Sequence, residues 1–180
     1  MKRILCVSAA LVVLAAGAPL ANATSPGTRT IAIKAHYDDN GALATPHTCS
    51  LTIPGFCQLR YGSFPKWSGT FVGTGSNDAY GSVDPMTQEL HAIIWEYFPQ
   101  VTVAGCGSGT MMWRGEATFT RAEQDPTTGG VVGHATWTYV KGSGTGDLAR
   151  IKSGHFSSKH IVFKLPFFEN HDDGIGSLVC

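Results

Sequence analysis

Few residues in this chain are spaced for chemistry, and each arrangement has a plain structural alternative. Gly142-Ser143-Gly144-Thr145-Gly146 has the glycine density of a phosphate-binding loop. Such a loop needs a Lys and a Ser or Thr after its last glycine, opening a helix whose N–H groups face the phosphate. Asp147 and Leu148 follow instead. The run therefore reads as a turn that uses left-handed glycine, with Asp147 capping a short helical turn. The seven histidines include no His-Glu-x-x-His and no tightly spaced pair. His36, His134 and His160 fall on the polar positions of alternating runs. His171-Asp172-Asp173 supplies nitrogen and oxygen ligands suited at most to weak calcium binding, and it reads as a solvated loop. No metal and no cofactor is expected. There is no Gly-x-Ser-x-Gly elbow after residue 23, and no catalytic residue is assigned. Glu96 and Glu116 are the strand carboxylates best suited to acid–base work, yet alternation points both away from the apolar face. A charged carboxylate inside a fold is costly unless paired.

Cysteines carry the remaining chemistry. Lys2 and Arg3 precede an apolar stretch from Ile4 to Gly17, and Ala21-Asn22-Ala23 follows. This is the pattern of a secretory leader cleaved after Ala23, too short to span a bilayer comfortably. It predicts a secreted protein with no membrane segment after cleavage and residues 24–180 as one domain. Cleavage removes Cys6 and leaves Cys49, Cys57, Cys106 and Cys180. An even number in an exported chain predicts disulfides. Pro54-Gly55 marks a turn between Cys49 and Cys57, so a hairpin there sets the two sulfurs opposite each other. The predicted pairs are Cys49–Cys57 and Cys106–Cys180, contributing on the order of 2.5 and 4.5 kcal/mol by loop closure.

Composition narrows the partners. Thirteen basic residues balance thirteen acidic ones, and only 14% of residues are charged. A basic stripe for nucleic acid is absent. The chain is too apolar to be disordered. Nothing in it specifies an oligomeric state.

The elements that must position any site read as strands. Ile31, Ile33, Ala35 and Tyr37 alternate with polar residues, as do Met111, Trp113, Ala117 and Phe119, and Ala135, Trp137 and Tyr139. Residues 67–74, 89–98 and 160–167 behave alike, with Ile93, Trp95 and Tyr97 assigned to the apolar face of the second. Period-two alternation in aromatic and β-branched residues is the strand signal. Gly75-Ser76-Asn77-Asp78, Asp125–Gly130 and Gly142–Gly146 read as turns between them. Such strands must bury one face and manage their edges, which a closed antiparallel barrel of about eight strands does; a β-sandwich is the alternative. Glycines inside the runs favour the barrel.

Gly133 to Leu148, continuing to Gly154-His155-Phe156, resembles a bacterial secreted family marked by Gly-Ser-Gly-Thr-Gly-[Asp/Glu]-Leu, whose barrel is similar to those of allene oxide cyclases and plant dirigent proteins. Trp67-Ser68-Gly69-Thr70-Phe71 fits the same pattern. The chain departs where the family has a Gly-rich repeat, having Arg150-Ile151-Lys152 there, and in its cysteine-bearing hairpin and tail. The resemblance implies an eight-stranded barrel, and a barrel alone does not transmit an activity.

Three functions follow as expectations. The first is binding of a small apolar or amphipathic ligand in a pocket lined by Trp95, Trp113, Trp137 and Tyr139, with His91 and Tyr97 at its polar parts. Gly69, Gly73, Gly115, Ala117, Gly133 and Ala135 share the inward parity and would leave the room. The second is a surface interaction module, such as an inhibitor or adhesin, around a solid barrel. The third is a cyclase or isomerase of the allene oxide cyclase kind. The absence of a catalytic signature favours binding over catalysis.

Overall fold

A computed structural model describes residues 27–39, 43–44, 48–49, 57–84, 86–87, 89–124, 126–127, 129, 131–163 and 170–180. The predicted leader lies outside these residues.

The chain is all-β. Among the described residues the strands are β1 (Thr30–Asp39), β2 (Leu43–Ala44), β3 (Thr48–Cys49), β4 (Cys57–Ser63), β5 (Lys66–Gly69), β6 (Phe71–Val83), β7 (Leu90–Val103), β8 (Gly107–Gln124), β9 (Val131–Tyr139), β10 (Ser153–Phe163) and β11 (Asn170–Val179), with a 3-10 turn at Gly146–Arg150. Eight of them close an antiparallel barrel in the order β6-β5-β1-β11-β10-β9-β8-β7, and β7 pairs back onto β6. Closure leaves no edge among these eight. β4 continues the line of β5 along β6, and β2 and β3 pair with β4.

Glycine shapes two places. Gly69, at φ 85°, turns β5 into β6 through Thr70, so residues 67–74 form a tight hairpin rather than the single strand expected. Gly142 and Gly146 also have positive φ, as the turn reading requires. The loop they frame is bound to β8: Thr145 N–H donates to Thr110 O at 3.1 Å, and Ser143 Oγ accepts from Met112 N–H at 2.9 Å. Asp147 caps nothing in the 3-10 turn, whose N-cap Thr145 makes no side-chain cap bond; its carboxylate accepts from Ser108 N–H instead. The glycine-rich loop thus delivers Leu148, fully buried, to close one barrel end.

Cys106 and Cys180 form a disulfide at that same end. Reciprocal backbone bonds between Arg29 and Cys180 hold the C-terminus beside the start of β1. The β3–β4 register sets Cys49 opposite Cys57, as the hairpin reading requires; their side chains, and so the second bridge, lie outside the described residues. His171-Asp172-Asp173 lies within β11 rather than in a loop.

The alternation assigned to β1, β8 and β9 matches the structure. Ile33, Ala35, Tyr37, Met111, Trp113, Ala117, Phe119, Ala135, Trp137 and Tyr139 all point inward and are buried. β7 does the opposite of what was expected. Leu90, Ala92, Ile94, Glu96 and Phe98 point in, while Ile93, Trp95 and Tyr97 point out. Beyond Pro99 an irregularity against both neighbours switches the inward parity to Val101 and Val103.

Candidate functional site

The pocket predicted from alternation is not assembled. Trp113, Trp137 and Tyr139 are interior, but Trp95 and Tyr97 are 38% and 42% exposed on the outer face, and His91 is exposed beside them. The physical reason is that both parities of residues 90–98 are apolar. Glu96, read as marking the solvent side, sits on the buried one.

The room expected beside small residues is partly filled. A side chain at Gly115 would strike the Trp137 ring, and one at Gly133 the Phe119 ring. The rings pack together: Trp67 lies 5.6 Å from Phe98 and 6.0 Å from Phe156, and Trp113 lies 5.0 Å from Phe156. These separations fall in the range of favourable edge and offset contacts. Most polar tips of this core are satisfied internally. Tyr139 Oη accepts from Gly144 N–H at 2.9 Å, and Trp113 Nε1 donates to Met111 Sδ at 3.3 Å.

Among the described residues a polar centre gathers on the interior side of β6 and β7, and alternation missed it. Glu96 is fully buried. Its Oε1 accepts from Trp67 Nε1 at 3.0 Å and its Oε2 from Asn77 Nδ2 at 3.1 Å. Asn77 stands opposite Glu96 on β6, and Ser63 stands opposite Asn77 on β4, so Ser63, Asn77 and Glu96 form one inward row across three strands. Gly75 makes the space: any Cβ there would land on Glu96 Oε1. The β6–β7 register shifts at this same point, between Thr74 and Ser76. Residues 75–78, which composition marks as a turn, are therefore mid-strand and build the floor and one wall of the carboxylate site. The signal available in the sequence was the even parity of β7, with Leu90, Ala92, Ile94 and Phe98 forming an apolar run around Glu96.

The opposite face of the same strands has a different character. Ile93, Trp95 and Tyr97 stand in line on β7, with Tyr80 of β6 opposite Ile93; all four are exposed. Asp78 and Arg114 flank Trp95 on either side, and Glu116 of β8 lies opposite Ile93. The Arg114 guanidinium lies 6.0 Å from the Trp95 ring centroid and pairs with Glu116 at 2.5 Å. Tyr80 Oη donates to Asp78 at 2.8 Å. Charges and rings are thus interleaved, and the charges are engaged within the strip. Among the described residues no group of three or more His, Cys, Asp or Glu is placed to hold a metal ion.

Compared with known family models, with curated proteins and with solved structures, the chain matches none of them.

Proposed function

We propose that the protein is an exported binding module that engages its partner through the outer face of β6, β7 and β8. The observation that carries this reading is the line Ile93, Trp95 and Tyr97, joined by Tyr80 and left exposed on a closed barrel. Large apolar groups gathered on one face mark interaction sites, whereas scattered ones do not. Alternate residues of a strand stand about 6.8 Å apart, which sets rings along a straight track. Because Arg114 pairs with Glu116, the strip has little net field to offer a strongly charged partner. A neutral polysaccharide fits best: its sugar rings offer apolar faces to Trp95, Tyr97 and Tyr80 and hydroxyl edges to Asp78, Arg114 and Glu116. The leader pattern and the Cys106–Cys180 bridge support a place outside the cytoplasm.

The test is co-sedimentation with two neutral polysaccharides, chitin and cellulose. Wild-type protein should sediment with at least one of them, and a Trp95→Ala/Tyr97→Ala double variant should remain in solution while melting normally. Concentration-dependent dimerisation that the double variant abolishes, without any sedimentation, would assign the strip to a second copy of the chain and refute the polysaccharide reading.

A second reading, chemistry on a small molecule inside the barrel as in the allene oxide cyclases, draws support from Glu96, a titratable group on the interior face. It requires that Glu96→Gln abolish turnover of an epoxide-type substrate by the wild-type protein.

A further inference from the structure

The interior row of Ser63, Asn77 and Glu96 goes beyond the surface reading. We infer that it is a binding site for a small primary amine, held as its ammonium by the Glu96 carboxylate and the Asn77 side-chain oxygen.

The atoms point to a donor-rich ligand. Asn77 commits its Nδ2 to Glu96, which turns its Oδ1 the other way. That Oδ1 is buried and has no hydrogen-bond partner in the structure, and the same holds for Ser63 Oγ in the neighbouring strand. Both residues are more than nine-tenths buried. A carboxylate, an amide oxygen and a hydroxyl in one row form an acceptor cluster. An ammonium brings three donors and a positive charge, which is the complement of that cluster.

The surroundings suit a small ligand body. Two inward rows away, past Ala79 and Ile94 and toward the 84–89 end, a row is made of Gly81, Ala92, Ala117, Ala135, Ser158 and Gly174, each opposite the next on successive strands, with Leu90 against Gly81 and the Phe156 ring against Gly174. Ser158 Oγ on this row, and the indole Nε1 of Trp137, are also buried without a partner. They offer hydrogen bonds to an acceptor carried on the far part of the ligand. Unpaired buried polar atoms are uncommon and costly, so their gathering on the two sides of one layer calls for a group that satisfies them.

The experiment compares three probes of one shape, phenethylamine, phenethyl alcohol and hydrocinnamate, by thermal shift and by intrinsic tryptophan fluorescence on the full mature chain. Phenethylamine should raise the melting temperature by about 5–11 °C at a hundredfold excess over its dissociation constant. It should bind at least about tenfold more tightly than the alcohol, with hydrocinnamate weakest. Glu96→Gln should lose that tenfold preference, while Trp95→Ala, on the outer face, should keep it. The inference is overturned if hydrocinnamate binds as tightly as the amine, if no probe binds, or if the amine preference survives Glu96→Gln. Because selectivity among the probes is read on the wild-type protein, the test holds even if the Glu96 variant folds poorly. Loss of polysaccharide binding would leave this result untouched, so the two readings fail separately.

Discussion

The two faces of β7 differ by one residue of register and by their whole chemistry. Inward, Ala92, Ile94 and Phe98 join the aromatic core and carry Glu96 into it. Outward, Ile93, Trp95 and Tyr97 face solvent. The larger apolar side chains are on the wet side, and a carboxylate is on the dry side. Hydrophobic size alone would choose the opposite register, because a one-residue slip exchanges every side chain between faces. What fixes the observed register is distributed over the neighbours. Gly75 vacates the volume that Glu96 occupies, Trp67 and Asn77 donate to its two oxygens, and Arg114 and Glu116 line the outer face. The strand is therefore read correctly only together with β5, β6 and β8.

The sharpest way to break this comparison is to truncate one tryptophan on each face. Trp113→Ala, inside, should cost roughly 3–5 kcal/mol in denaturant unfolding, the range for a large core ring. Trp95→Ala should cost no more than about 0.5 kcal/mol, as surface changes usually do. Equal losses would mean that Trp95 is packed and the register is wrong.

Next in size is Glu96→Ala. It leaves the Trp67 indole and the Asn77 amide buried without their acceptor, at roughly 1–3 kcal/mol for each orphaned donor. Glu96→Gln, which retains an acceptor oxygen, should lose less. Equilibrium unfolding of the two variants gives the difference, and identical stabilities would show that neither donor depends on the carboxylate.

Gly75→Ala sharpens the same point from the other strand. The added methyl displaces Glu96 Oε1, and overpacking of this kind costs about 1–3 kcal/mol. Combining Gly75→Ala with Glu96→Ala should cost less than the two losses added, because the methyl then enters vacated space. Strict additivity would separate the glycine from the carboxylate.

Smallest is an effect at the barrel end. The Thr87 and then the Met86 backbone N–H groups, donating to Asp84 Oδ1, hold that exposed carboxyl below its ordinary range. A depressed folded-state value stabilises above the unfolded carboxyl value of about 3.9, and the contribution is lost as pH falls through the folded one. Asp84→Asn should lower stability slightly near neutrality and leave it unchanged below the folded-state value, so that the acid limb of the stability curve flattens. An unchanged acid limb would show that these two bonds do not favour the ionised form.

Much of the barrel was legible because β1, β8 and β9 each have one clearly apolar parity. Met111, Trp113, Ala117 and Phe119 alternate with Arg114, Glu116 and Thr118, which leaves only one face to bury. The candidate site was not legible, for two local reasons. In residues 90–98 both parities are apolar, so Glu96 outweighed the run it belongs to. In residues 75–78 the Gly-Ser-Asn-Asp composition of a turn serves instead as strand, with Gly75 and Asn77 facing the interior and Ser76 and Asp78 partly covered. The same ambiguity hid the outer strip, whose rings were assigned to a pocket. The glycine-rich loop was legible as a turn because positive φ is demanded at Gly142 and Gly146, and its role as a plug carrying Leu148 depends on β8 contacts that no local pattern contains.

Iodide quenching of tryptophan fluorescence, with and without the polysaccharide that sediments the protein, tests the central claim most directly. Of the four tryptophans, Trp67, Trp113 and Trp137 are buried and Trp95 is exposed. The account predicts one accessible component in the wild-type protein, its disappearance in Trp95→Phe, and its protection when the polysaccharide is bound. An accessible component that persists in Trp95→Phe, or that bound polysaccharide leaves fully open to iodide, would contradict the outer face of β7 as the binding surface.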